Sequence, residues 1–108
     1  MLESDNNWSP GEEKVAQEAF NKAYEREIAA LIKDAQAKAG AIAKLEDLWR
    51  LHDFLSARRH EIDGKYDYRP SVLLFVFARL VKDGWLHLEE LESLDRSKFA
   101  KIVALSRM

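Results

Sequence analysis

At 108 residues the chain suits one domain. Its 17 Lys and Arg against 19 Asp and Glu give a net charge of -2, which excludes a bulk cationic field for gripping nucleic acid or anionic lipid. The 47% apolar content argues against disorder, 4 Gly and 2 Pro supply too few turns for a many-stranded sandwich or barrel, and 0 Cys excludes disulfides, thiolate nucleophiles and thiolate metal sites.

Residues Met1 to Trp8 lack the basic start and apolar stretch of a secretory signal. The longest apolar run, Val72 to Ala78, is far shorter than the roughly 20 residues that span a bilayer. The expected location is therefore the cytoplasm, without direct membrane insertion. Ser9-Pro10-Gly11-Glu12 reads as a helix start: Ser9 accepts from an orphan N–H, Pro10 has its φ preset for the first position, and Glu12 closes a capping box. No proline follows before about Ala39, so a first helix of roughly 30 residues is predicted, about 45 Å long. A compact chain of this size has a radius of gyration of about 13 Å. The helix must project beyond any core the remaining residues can build. Phe20, Tyr24, Ile28, Leu31, Ala35, Ala39 and Ile42 form an apolar stripe along it in steps of 4, 4, 3, 4, 4 and 3. A projecting stripe needs cover, and a second copy of the chain is the simplest cover, so a homodimer is expected.

Gly40 marks a break. A second helix is predicted from about Lys44 to Asp63, with Gly64 as left-handed terminator and Arg58, Arg59 and His60 near its negative end. Lys65 to Pro70 forms the connection, and Asp67 is the candidate cap of a third helix that runs through Asp83 and ends at Gly84. Val72 to Ala78 also fits a buried strand, but no second strand is available to pair with it, so helix is favoured. All-round apolarity places this helix at the centre of a small core, Phe75 by default included. Short helices near Leu88–Leu94 and Arg96–Ser106, the latter capped by Asp95, complete the head, with Phe99, Ile102, Val103 and Leu105 packing on the third helix. The fold expected is all-α: one domain over 1–108, with a hairpin-like helical stem over about 9–64, a small helical head over about 65–108, and dimerisation through the stem.

On the second helix, a rotation of about 100° per residue puts Leu51, Phe54, Leu55 and Ile62 on one side, with Leu48 at its edge. That side reads as an ordinary buried stripe. Trp49, His52, Asp53, Ser56, Arg59, His60 and Asp63 fall on the other. Trp and Arg are the types most enriched at interface hot spots, because they bury large area while still hydrogen-bonding. This face is a candidate docking patch. The alternative is structural, with Trp49 covering the first helix and Asp53 and Arg59 acting as ordinary surface charges.

Catalysis is disfavoured. His52 and Ser56, one turn apart, resemble a base and nucleophile, but Asp53 points about 100° away from His52 and is not expected to hold its imidazole, and no glycine-rich elbow exposes the serine. His52 and His60 are about two turns apart, too far to share an ion on a straight helix, so neither metal nor cofactor is expected. His87 and Lys101 read by default as surface residues. Arg58-Arg59-His60 is nearly cancelled by Glu61 and Asp63, which argues against nucleic acid.

The block from Leu48 to Asp67, LWRLHDFLSARRHEIDGKYD, closely resembles the cyanobacterial fluorescence recovery protein family. The similarity extends from Trp8-Ser9 through AFNKAYERE (19–27) and SVLLFVFA (71–78) to KIVAL (101–105), nearly the whole chain. The resemblance implies an all-helical homodimer that regulates photoprotection and is not an enzyme. Family members bind the photoactivated, red orange carotenoid protein, chiefly through its C-terminal domain. They accelerate its return to the orange form and help detach it from the phycobilisome, which ends non-photochemical quenching. This places the chain near phycobilisomes on the cytosolic face of thylakoids. The family's partner-binding stretch matches Trp49, His52, Asp53 and Arg59, its head contacts match Phe75 and Lys101, and its dimer seam matches Leu48. Without that resemblance, the residues fit a helical homodimeric adaptor for some other regulatory protein.

Overall fold

A computed structural model describes residues 7–108; most of the N-terminal stretch considered above for a secretory signal, residues 1–6, lies outside it. Helix α1 spans Pro10–Gly40, α2 Leu45–Lys65, α3 Leu73–Lys82 and α4 Arg96–Ser106, with a 3₁₀ turn at Leu88–Leu91 before α4. The described residues contain no strand, so the apolar run of α3 is helical. The molecule measures 55 × 24 × 21 Å, and its radius of gyration is 16.8 Å. A compact chain of this length would have about 13 Å, so the structure is elongated, as the length of the first helix requires.

The start of α1 is built as expected. Ser9 Oγ accepts the Glu12 N–H at 3.2 Å, and Glu12 Oε1 accepts the Ser9 N–H at 3.1 Å. The Glu12 carboxylate has a second task, accepting the Asp95 N–H at 2.9 Å and lying 3.3 Å from Lys98 Nζ. The cap of α1 is thereby tied to the cap of α4, where Asp95 accepts from the Ser97 and Lys98 N–H groups. Ala16, Ala19 and Ala23 form the buried line of α1. Their small side chains let the helix lie close to Phe77, Leu80, Leu86, Leu91 and Ile102 in the core, and Trp8 meets Phe77 edge-on. The stripe read from the sequence is a different line: Phe20, Ile28, Leu31, Ala35 and Ile42 are half-buried, and Tyr24 and Ala39 are exposed. The core selects small residues at close approach, and the larger apolar ones stay on the flank.

Helix α2 folds back along α1. Lys38 Nζ lies 4.7 Å from the Phe54 ring centre, and Arg58 and Lys65 reach Glu27. Gly64 does not terminate α2 in a left-handed conformation: the helix runs on to Lys65, and Gly84, φ 88°, carries the positive φ found among the described residues. The reason is tertiary, because capture of Lys65 by Glu27 holds the last turn helical. Gly84 ends α3 as expected. Asp67 does not cap α3, whose N-terminal flank is Val72 without a side-chain cap; the Asp67 carboxylate is occupied by Arg69. Pro70 disfavours a helical conformation at Arg69, and a turn through Ser71 precedes the first helical residue. The expected helix near Leu88–Leu94 shrinks to the 3₁₀ turn. Phe99 and Leu105 pack half-buried against the core, and Ile102 is fully buried; Val103 is half-buried.

Arg26 clamps this turn to α1. It donates to both Glu90 oxygens, at 2.7 and 2.8 Å, and to the Trp85 carbonyl at 3.0 Å. The guanidinium holds the Glu90 carboxyl down to about 2, against the opposing effect of burial. An unfolded glutamate titrates near 4.3. The pair therefore stabilises the fold fully above about pH 4.3, and that contribution is lost as pH falls toward about 2. Allowing for solvent screening it is worth roughly 1–2 kcal/mol. Urea unfolding should show Glu90→Gln less stable by that amount at pH 6, and the gap should close at pH 2.

Candidate docking face

Two groups of side chains carry the candidate chemistry. The first stands on α2. Trp49 is 56% exposed, with His52 edge-on at 6.4 Å between ring centres. His52 Nδ1 lies 3.3 Å from Asp53 Oδ1, so the expectation that Asp53 leaves this imidazole alone is corrected. Both side chains are solvent-exposed and swing around the helix surface to meet, a freedom that the fixed helical rotation hides. Nearly two turns before the end of α2, Arg59 Nε lies 3.7 Å from Asp63 Oδ2, and its side chain is 85% exposed. The indole is not sealed inside its own protomer, and among the described residues Asp53 pairs with His52 and Arg59 with Asp63, neighbours on their own helix.

The apolar side of α2 is the second correction. Ile62 is buried and Leu51 and Phe54 are half-buried, but Leu55 is exposed and Leu48 is 44% exposed. A two-helix hairpin covers one line of each helix, so the flanks stay open. Leu45 is exposed too. On the helical wheel Leu45, Leu48 and Leu55 fall within about 80°, and His52 and Arg59 lie inside the same arc. Tyr24 and Ile32 are open on α1. Sequence reading missed Leu45 and Ile32, although the three- and seven-residue steps from Leu45 to Leu48 to Leu55 mark one face.

The second group lies on α3 and α4. Phe75, read as core by default, is 62% exposed. Its neighbours Leu74, Val76 and Phe77 face the core, which leaves Phe75 on the uncovered side of α3. Lys101, read as a solvated charge, is half-buried beside it. Phe75 and Leu105 line two adjoining grooves: one of about 280 Å³ with Lys101 and Ala104, the other of about 450 Å³ with Arg79 and Met108. Leu105 was read from the sequence as packing on the third helix rather than as lining a groove, and Met108 was not singled out. The structure brings Trp49, His52 and Asp53 together, and Phe75 with Lys101, while the two groups sit on different elements. Between them, Arg79 of α3 meets Glu61 of α2 at 3.4 Å.

What joins these elements is a polar cluster that periodicity does not reveal. Glu27 and Lys65 have side chains 1% exposed, with Lys65 Nζ 2.7 Å from Glu27 Oε1. Tyr66 donates its hydroxyl to Glu27 at 2.8 Å, and Arg58 donates to it at 2.9 Å. Burial pushes the Glu27 carboxyl up, but the bonds from Lys65, Tyr66 and Arg58 outweigh it and hold it below the usual carboxylate range. Tyr66 is driven upward by burial and by that same carboxylate, so it stays a hydroxyl donor. Its ring stands edge-on between Phe20 and Tyr24.

Fold and face together define an elongated all-α protein whose distinctive aromatic and charged residues are on the outside. The residue pattern of the family described as photoprotection regulator fluorescence recovery protein matches residues 8–106. The fluorescence recovery protein of Synechocystis sp. PCC 6803 is 54% identical over 101 residues, which cover 94% of this chain and 93% of that protein. The solved structure of the Fremyella diplosiphon fluorescence recovery protein has a TM-score of 0.92 at 66% identity, covering 94% of this chain and 100% of that one. The solved Synechocystis structure gives 0.92 at 53% identity over the same shares. The chain belongs to the fluorescence recovery protein family of photoprotection regulators. No helix among the described residues is long and apolar enough to cross a membrane.

Proposed function

We propose that this chain is a non-enzymatic single-domain homodimer that binds the photoactivated orange carotenoid protein, chiefly its C-terminal domain. It accelerates return to the orange form and helps detach that protein from the phycobilisome, acting in the cytoplasm at the thylakoid surface. The observation that carries this reading is the exposed indole of Trp49 beside His52 and Asp53, with the exposed Arg59 further along the same helix. A large amphipathic ring flanked by exposed charges is the composition of an interface anchor. To speed a domain reassembly, the binder must favour the compact transition state over the open ground state; equal affinity for both achieves nothing. Trp49 supplies a desolvated anchor, and Asp53 and Arg59 supply directional charge-assisted bonds. His52 orients Asp53 or donates to the partner. Phe75 and Lys101 engage a second region of the partner, which raises the effective concentration of its two domains.

The test mixes the protein with photoactivated orange carotenoid protein and follows the red-to-orange absorbance change in darkness. Faster recovery supports the reading. Recovery at the rate of the carotenoid protein alone overturns it, and binding of another regulatory protein would then define an adaptor. The open flanks of α1 and α2 support the homodimer, with Leu48 at its seam. Leu48→Glu places a charge in that seam, and desolvating it there costs several kcal/mol. Light scattering after size exclusion should show the mass halve; an unchanged dimer would remove Leu48 from the seam.

A further inference from the structure

Of its 21 residues, α2 buries two, Ile62 and Lys65. A single buried apolar side chain cannot fix the roll and tilt of so long a helix, because apolar contact is non-directional. The directional contacts near that end come from the Glu27 cluster. One carboxylate takes Lys65, Arg58 and the Tyr66 hydroxyl, three donors from the last turns of α2 and the residue after it. Lys65 also lies 3.6 Å from Asp83 at the end of α3, and Arg58 donates to Glu61, which meets Arg79 of α3. Glu27 itself sits on a fixed base. Ala16, Ala19 and Ala23 anchor α1 in the core, and the preceding residue, Arg26, grips the 3₁₀ turn.

We propose that Glu27 is a positioning residue: it references the end of α2 to the compact core, and so sets where the Trp49 face stands relative to the Phe75 groove. The lever is long. Trp49 lies sixteen residues, about 24 Å, from Lys65, so a tilt of about 10° at the cluster moves the indole by about 4 Å. That exceeds the tolerance of any hydrogen bond in a docked complex. Its consequence for recovery rests on the docking role proposed above, whereas the placement of α2 can be read without a partner.

The chain has 0 Cys, so Glu46→Cys on α2 and Ala100→Cys on α4, both at exposed positions, give a unique pair of spin-label sites. Double electron–electron resonance on labelled protein diluted with unlabelled protein reports the distance within one protomer. Two variants test the cluster. Glu27→Gln with Lys65→Met removes both buried charges at similar volume, and Tyr66→Phe removes one hydroxyl and keeps the charges. The double variant should shift the mean distance by several Å or double the width of its distribution, and Tyr66→Phe should do so to a smaller extent. In dark recovery the double variant should lower the maximal acceleration at least fivefold, with the half-saturating concentration changed less than twofold, because the α2 face itself is intact. Circular dichroism and dimer mass should be retained. Unchanged distance distributions in both variants would overturn the proposal, as would full maximal acceleration in a variant whose distances have shifted. If the unaltered protein fails to accelerate recovery, the docking role falls, and the distance measurement alone decides the placement of α2.

Discussion

Replacing Trp49 with alanine is expected to slow the accelerated dark recovery by at least tenfold without loss of helix or dimer. The ring is more than half exposed and lies edge-on to the exposed His52, so truncation opens no cavity in the core. Truncating a central aromatic anchor costs about 2 kcal/mol or more in binding, roughly a thirtyfold loss. Arg59→Leu should act in the same direction. Its contact with Asp63 is an exposed pair on one helix, worth at most about 1 kcal/mol to stability, so a large functional loss there would come from the partner. The measurement is the rate of red-to-orange conversion at several protein concentrations, with circular dichroism and light scattering on the same samples. Recovery at the unaltered rate in either variant would remove that residue from the docking face.

The largest effect on stability is expected from Lys65→Ala. This leaves the Glu27 carboxylate buried with Arg58 and Tyr66 but without its fully buried counter-charge. Breaking a buried pair from one side costs about 3–5 kcal/mol, whereas replacing both partners by groups of similar volume is often nearly neutral. Urea unfolding at pH 7 should therefore show a severe loss for Lys65→Ala and recovery of most of it in Glu27→Gln with Lys65→Met. The pH dependence has a definite sign. Glu27 is held below its ordinary value in the fold, so its contribution is present above the unfolded carboxylate range and is lost as pH falls through the lowered folded value. Without Lys65 that value rises, and acid unfolding should begin at a higher pH. A loss for Lys65→Ala as small as that of a surface pair would contradict the burial of the cluster.

Local chemistry made much of the fold legible. The Ser9–Glu12 capping box, the stop at Gly84 and the Asp95 cap each involve neighbours within three residues, and each stands as read. Gly64 and Asp67 failed for one reason: their conformations are decided by partners brought from elsewhere, Glu27 for Lys65 and Arg69 for Asp67. Glu27 and Lys65 are thirty-eight positions apart, and no periodicity links a glutamate in a mixed helix to a lysine after a glycine. At the site, the face bearing Trp49, His52, Asp53 and Arg59 was visible because helical rotation sorts residues by side. Exposure was not visible. An apolar residue reads the same whether it is covered, like Phe77, or open, like Phe75, since cover depends on which helices arrive from other parts of the chain.

The central claim is that the Trp49 face is covered by another protein when the regulator works. Hydroxyl-radical footprinting read by mass spectrometry measures this residue by residue, with the half-buried Trp8 and Trp85 as internal references. In the presence of photoactivated orange carotenoid protein, oxidation of Trp49 should fall severalfold while that of the two reference tryptophans holds. A complex that forms with Trp49 oxidised as fast as in the free protein would contradict the claim.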